Sequence, residues 1–118
     1  MNPYDVDIRK DLESAAKKAG VRLVPGWFPA RIPLPASVYY LLAATPSDYF
    51  ANQPTTVKFS YYFEVRALDE ESREQTAKAL CKALSQIYFA RRTQYDDSFD
   101  QNFFIKRIVF LFTVKLGV

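Results

Sequence analysis

The sequence contains no histidine, only three glycines and a single cysteine. Histidine is the commonest general base and metal ligand, so no serine or cysteine of this chain has an imidazole to activate it. The three glycines are dispersed and cannot form a phosphate-binding loop. One cysteine permits no internal disulfide, which fits a reducing compartment, and Cys81 is predicted to be a small buried residue. We therefore predict that the protein is not an enzyme and has no cofactor and no metal site.

Long apolar runs and a strong net charge are also missing. No segment approaches the ~18 unbroken apolar residues of a membrane-spanning helix, and residues 1–5 lack the basic start and apolar run of a signal peptide. The formal charge of +3 is too small to require a polyanionic partner. The 118 residues, 49% of them apolar, predict one globular domain, 1–118, that is made and used inside a cell or a particle assembled there.

A strand followed by a helix is the strongest pattern in the chain. Apolar and polar side chains alternate from Thr56 to Arg66, which predicts a strand with one buried face. Asp69 is a suitable N-cap, and acidic residues follow it in the first helical turn. The helix then carries one apolar stripe, which consists of Ala77, Leu80, Cys81, Leu84, Ile87 and Tyr88.

Three further segments precede that strand. Residues 4–19 predict a helix that ends at Gly20, and residues 21–24 predict a short strand. Residues 37–44 predict a strand whose two apolar faces suit a buried position. Residues 45–54 are polar and contain two prolines, which predicts a loop.

Two segments follow the second helix. Residues 91–100 predict a charged connection, and residues 103–116 a long strand that is either central in the sheet or covered by a second molecule. The expected order is therefore α-β-β-β-α-β, an α+β domain with a mostly antiparallel sheet of about four strands and two helices on one face. The pattern leaves open whether the strands at 56–66 and 103–116 are parallel or separated.

Residues 25–36 form an unusual proline-rich segment, which we call the arm. Four prolines between Pro25 and Pro35 fix φ and remove backbone donors, so the arm cannot be a central strand. Its large apolar side chains are Trp27, Phe28, Ile32 and Leu34. A disordered linker would be more polar, so we predict an extended arm or loop that packs on another surface.

The charged connection contains a candidate metal site. Asp96, Asp97 and Asp100 could hold Mg²⁺ or Ca²⁺, but the segment lacks the glycine and the distal glutamate of a calcium loop. A solvated turn is therefore favoured over a metal site.

Basic pairs and strand aromatics give the chain an alternative function as a small α+β nucleic-acid-binding module. Aromatic side chains on a sheet can stack with bases, but the glycine–aromatic signature of an RNA-recognition motif is absent. The basic pairs alternate with acidic residues and are Lys17–Lys18, Arg91–Arg92 and Lys106–Arg107.

The complete pattern resembles the tail terminators, or tail-completion proteins, of long-tailed bacteriophages and prophages, which include minor tail and minor capsid proteins. The resemblance covers nearly the whole chain. It rests on the N-terminal helix, the proline-rich segment, the strand end Phe63–Ala67 (FEVRA), the acidic-capped helix Leu68–Leu80 and a closing strand with Arg107 near its start. The arm contains more proline than is typical of this family, which also fits another neck or head–tail connector component.

The resemblance implies a structural protein of the virion tail or neck, assembled in the cytoplasm of a bacterial host. Such proteins form a homo-oligomeric ring, usually a hexamer, that caps the tail tube, stops tail growth and allows head joining. The implied partners are other copies of the chain, the tail tube protein and a head–tail connector protein, with no membrane, and DNA at most passes through the lumen.

A ring with head-to-tail contacts needs two different apolar patches on each subunit. The arm and the C-terminal strand are the candidates for these patches, although both could instead complete the core of the monomer. The candidate interface residues are Trp27, Phe28, Ile32, Leu34, Arg107, Val109 and Leu111. Exposed acids such as Asp96, Asp97 and Asp100 would suit a lumen through which DNA slides.

Overall fold

The computed structural model describes residues 5–116, which form two helices and one five-stranded sheet. The order of the strands in the sheet is β1-β2-β3-β5-β4, and only the β1–β2 pair is parallel. Both helices pack on one face, so the predicted α+β fold is confirmed, with five strands rather than about four. The elements are α1 (Arg9–Lys18), β1 (Leu23–Pro25), β2 (Ala36–Phe50), β3 (Gln53–Ala67), α2 (Glu70–Leu84), β4 (Phe89–Asp100) and β5 (Phe103–Lys115).

The core lies between the helices and one surface of the sheet, which we call the helix face. The alternation predicted for β3 is confirmed, because every second side chain from Val57 to Val65 is buried. Phe110 and Phe112 of the neighbouring β5 extend this layer, and Leu12 of α1 packs against it. The helices contribute further buried side chains, which include Ala16, Ala77, Leu80, Cys81 and Leu84. The opposite surface of the sheet, on which Tyr62, Glu64 and Arg66 lie, is called the open face.

The ends of the two helices follow local hydrogen bonds. The predicted N-cap of α2 is confirmed, since the Asp69 carboxylate accepts a hydrogen bond of 2.7 Å from the backbone N–H of Ser72. This helix ends at Leu84, before the predicted stripe residues Ile87 and Tyr88. Helix α1 begins at Arg9 rather than at position 4, which lies outside the described residues.

The predicted loop at 45–54 is wrong. Strand β2 continues to Phe50, and only Ala51 and Asn52 form the turn into β3, both with positive φ. The polar residues form cross-strand bonds instead of a loop: the hydroxyl oxygens of Ser47 and Thr56 are 2.6 Å apart. Polar side chains are therefore compatible with a strand in a hairpin whose two faces are exposed to water.

The predicted charged connection at 91–100 is also wrong. These residues belong to β4, which forms a hairpin with β5 and is the outermost strand of the sheet. An edge strand exposed to water accommodates charges on both faces. Strand β5 is consequently flanked by β3 and β4, so of the two predicted alternatives the central position is the one found. The strands β3 and β5 are neither parallel nor separated, as the pattern had left open, but adjacent and antiparallel, because β4 reverses the chain between α2 and β5.

The predicted burial of residues 37–44 is correct only at the start of the segment. Strand β1 pairs with Ser37–Tyr39, and these residues are buried. The following residues, from Tyr40 to Ala44, are exposed because no strand formed by residues 5–116 lies beside them on the outer side.

Candidate functional site

The arm lies against the open face of the same chain. The Phe28 ring packs under Arg66, whose guanidinium carbon is 4.2 Å from the ring centre. Gly26, at φ +82°, donates its backbone N–H to the Tyr39 carbonyl, and Arg22 binds the Pro33 carbonyl. The arm is therefore attached at both ends to its own domain.

The predicted interface residues of the arm differ in their exposure. Phe28, Ile32 and Leu34 are half-buried, whereas the Trp27 side chain is 91% exposed. Phe28 and Trp27 line a small cleft of about 210 Å³ with Tyr40 and Tyr62. Trp27 is thus no core residue and is available for contact with another molecule.

The predicted residues of the C-terminal strand lie on the same open face. Arg107 is exposed, Leu111 is half-buried and Val109 is buried. Their partners on β3 are Glu64, Ser60 and Tyr62 respectively. The structure therefore brings the two predicted patches onto one face, with the Val109 side chain mostly covered.

A polar network connects the strands of this face. The Tyr62 hydroxyl donates a hydrogen bond of 2.8 Å to Glu64, and Arg66 Nε donates one of 2.9 Å to the same carboxylate. Arg107 Nε is 4.0 Å from Glu64. Burial and the bond to Glu64 both raise the pKa of Tyr62 above its ordinary value, so this hydroxyl remains a donor. The network fixes side chains for contact and contains no free base beside a nucleophile.

A second charged cluster lies on the helix face between α2 and the last two strands. Lys106, almost fully buried, donates a hydrogen bond of 3.0 Å to Glu74 and forms an ion pair with Asp97. Arg73, also buried, is 2.9 Å from Glu74. Glu74 therefore pairs with these two cations rather than with Lys78, the neighbour that helical spacing alone favours. The cluster attaches α2 to the sheet.

The three aspartates of the candidate metal site do not converge. Asp96 lies level with Arg107 on the open face, whereas Asp97 points to Lys106 on the helix face. Within residues 5–116 no group of three metal-ligating side chains is arranged to hold an ion. The alternation of β4 thus separates carboxylates that are adjacent in sequence.

Cys81 is buried in the helix layer, as predicted. Burial raises the pKa of its thiol, and the nearby Arg92, 3.8 Å from the sulfur, opposes this shift only in part. A thiol that remains protonated is a poor nucleophile.

The largest group of exposed apolar side chains was not predicted. It lies on β2 beyond Tyr39, at the two ends of β4 and directly before β4. The sequence predicts a buried strand, a loop, the apolar stripe of the second helix and a charged connection for these segments. For Tyr49, Phe50 and Phe99, the available signal was the presence of aromatic residues inside the polar segments 45–54 and 91–100. The members are Tyr40, Leu41, Leu42, Tyr49, Phe50, Tyr88, Phe89 and Phe99.

Comparison of the sequence with protein-family models and with curated proteins finds no match in either set. Among the helices of residues 5–116, neither is long and apolar enough to cross a bilayer. The candidate site is therefore defined by geometry alone. It consists of the open face with its exposed tryptophan and of the apolar residues along the outer strands, by which we mean β4 and β2, whose part beyond Tyr39 is not covered by β1.

Proposed function

We propose that the protein is a structural subunit of a phage or prophage virion, a tail terminator that forms a homo-oligomeric ring at the head–tail junction. One observation carries the proposal: among residues 5–116, eight of the ten large exposed apolar side chains lie on β2, on β4 or, in the case of Tyr88, directly before β4, and a ninth, Trp27, projects from the arm. Groups of exposed apolar side chains are typical of protein contacts. Their distribution over both sides of the sheet suits a subunit with a neighbour on each side.

The proposed partners follow from this role. The ring contacts the tail tube protein on one side and a head–tail connector protein on the other, and DNA at most passes through its lumen. Another neck or connector component of the same virion would use the same surfaces, and the phenotype of a deletion separates the two roles.

The decisive experiment is electron microscopy of particles from an induced lysogen that lacks this gene. We expect overlong tails without heads, because nothing stops tube growth or permits joining. Expression of the gene from a plasmid should restore normal particles. Tails of normal length on filled heads would contradict the terminator role, and tails of normal length without heads would indicate a neck component.

Replacing Trp27 with alanine should weaken assembly without unfolding the monomer. The side chain is 91% exposed, so the free energy of unfolding should change by less than about 0.5 kcal/mol. Urea denaturation measures this change, and plaque yield in the complemented deletion lysogen measures assembly. Leu68→Ala is the matched control, because Leu68 is also exposed but lies on neither the arm nor an outer strand. Loss of cooperative unfolding in Trp27→Ala would make Trp27 a core residue.

A second candidate function, binding of single-stranded nucleic acid, is favoured by one observation on the open face. Tyr40 and Tyr62 form an aromatic pair with ring centres 4.9 Å apart, beside the exposed Trp27 and near Arg66. Stacking on aromatic side chains with nearby cations is the usual mode of such binding. Fluorescence anisotropy with labelled oligonucleotides at increasing salt tests it, since affinity from phosphate contacts falls steeply as salt rises. A terminator should show little binding at physiological salt.

A further inference from the structure

The sheet has two free edges of different character. Strand β1 covers only Ser37–Tyr39 of β2, so residues 40–50 have no neighbouring strand on their outer side within the described part of the chain. On the other side of the sheet, β4 is the outermost strand along its whole length. Free edges can pair with further strands, and charged side chains commonly prevent this. The charges of β4 disfavour its pairing with a second β4, whereas residues 40–47 of β2 carry no charge and place no like charge opposite those of β4.

We infer that the free edge of β2 in one copy pairs with β4 of the next copy, so that the sheet continues from subunit to subunit; this inference rests on the proposed function for the closure of the ring. Strands β2, β3, β5 and β4 alternate in direction. A second copy placed beside β2 in the same orientation therefore presents β4 antiparallel to it. One type of contact then pairs both free edges of every subunit.

The two edges match in length, and each contains one bulge. Strand β1 sets one limit, because the incoming strand must stop where β1 begins to cover β2 at Tyr39. If Asp100 of the incoming copy lies opposite Tyr40, the first residue of its β4, Phe89, reaches the turn that follows Phe50. Each edge contains one bulge, at Leu42 in β2 and at Thr93 in β4, so the alternation of faces is kept along the pair.

This register also brings together complementary side chains. Leu41 and Phe99, both on the helix face and 45% and 62% exposed, become cross-strand neighbours. Asp48 is the only charged residue in segment 40–50, and it falls beside the Arg91–Arg92 pair. The pairing therefore covers apolar surface at one end and neutralises charge at the other.

The same register is compatible with a closed sheet. Within one subunit, the strand register aligns Tyr39 of β2 with Tyr95 of β4, through the residues paired with them on β3 and β5. In the proposed pair, Tyr95 of the neighbouring copy instead lies opposite Pro46. The register is therefore displaced along the strands by about six residues for each copy, and each copy adds four strands to the sheet. From the usual rise per residue and spacing between strands, this displacement corresponds to a strand tilt of roughly 45°, close to that of closed sheets. A pairing without offset would collide with β1.

Engineered cysteines at one cross-strand pair test the inference. The register places Thr45 opposite Asp96, and both residues are exposed on the open face. We would introduce Thr45→Cys and Asp96→Cys into a Cys81→Ala chain, which removes the native thiol. The protein is then oxidised mildly, both purified and in tail particles, and separated on denaturing gels without reductant.

The expected result is a ladder of dimers, trimers and larger species in the double variant that reductant converts to monomer. Each single variant alone should remain monomeric, and an equal mixture of the two should stop at the dimer. Thr45→Cys with Lys78→Cys is the matched control, because Lys78 is exposed on α2, away from both edges. That control should give no ladder.

Other patterns would overturn the inference. A dimer of Thr45→Cys alone would mean that two β2 edges pair about a twofold axis, and a dimer of Asp96→Cys alone would mean the same for β4. Native mass spectrometry of the unmodified protein separates this inference from the proposed function. If the unmodified protein forms an oligomer but the double variant gives no ladder, the edge pairing is overturned and the proposed ring is not. If the deletion lysogen produces normal tails, the terminator role is contradicted, regardless of the result of the cross-linking.

Discussion

Replacing Phe63 with alanine should lower the free energy of unfolding by about 3–5 kcal/mol, because the change removes a fully buried aromatic ring. Phe63 is fully buried at the centre of β3, with ring centres 6.1 Å from Tyr39 and 6.2 Å from Phe110. Because β2 and β5 hold the backbone of β3 from both sides, the surrounding residues cannot move far into the cavity. A loss of this size is a large part of the stability of a small domain.

Urea denaturation followed by circular dichroism measures this loss, with Phe89→Ala as the matched control. Phe89 is the same residue type on β4, but its side chain is 62% exposed. Its removal should leave the free energy of unfolding within about 0.5 kcal/mol of the unmodified protein. Equal losses in the two variants would mean that the core does not lie on the helix face of the sheet. Under the edge pairing proposed above, Phe89→Ala should instead weaken assembly.

Local signals predicted strand β3 and the start of α2 correctly. The alternation around Phe63 places apolar side chains on one face whatever the neighbouring strands are, and Asp69 caps its helix through a bond only three residues away. Such features depend on nearby residues, so they can be read from the sequence.

The outer strands could not be predicted in the same way. Residues 45–54 contain polar residues and two prolines, and residues 91–100 contain many charged residues, which is typical of loops. Both segments nevertheless form strands because their pairing partners lie on the adjacent hairpin strands. A strand with water on both faces shows no apolar alternation. The free edge beyond Tyr39 likewise depends on how far β1 extends, which is set by the tertiary fold.

The candidate site shows the same division. The composition of the arm correctly indicated a packed segment, and Phe28 does pack under Arg66. That Trp27 points away from the domain while Val109 is covered follows from the positions of neighbouring side chains, which the sequence does not give.

The ionic cluster between α2 and the sheet should make stability depend on acid pH. The hydrogen bond from Lys106 lowers the pKa of Glu74 and of Asp97 below their ordinary values. A carboxyl group whose pKa is lower in the folded state contributes stability above its unfolded-state pKa and loses it as pH falls through the folded-state value. We therefore expect the free energy of unfolding to decrease below about pH 5, where carboxylates begin to protonate.

The double variant Glu74→Gln with Asp97→Asn should cost about 3 kcal/mol at neutral pH, because it leaves Lys106 and Arg73 buried without their main anionic partners. Lys106→Met is the informative contrast. It removes the buried charge and leaves the exposed Asp97 and the partly exposed Glu74 in contact with water, so its cost should be about 1 kcal/mol. Urea denaturation of the unmodified protein, the double variant and Lys106→Met measures both effects. A range from about pH 3 to about pH 8 includes the ordinary carboxyl pKa of about 4.

The pH profile separates the role of the charges from that of packing. Without the two carboxylates, the double variant should lose less stability than the unmodified protein as pH falls, so their curves should converge toward acid pH. A constant difference between the curves would mean that the amides disturb packing rather than ion pairing. If Lys106→Met proved the more damaging change, the ammonium group itself would be the main contribution to the attachment of α2, through its ion pairs and its contact with the Tyr95 ring at 4.2 Å.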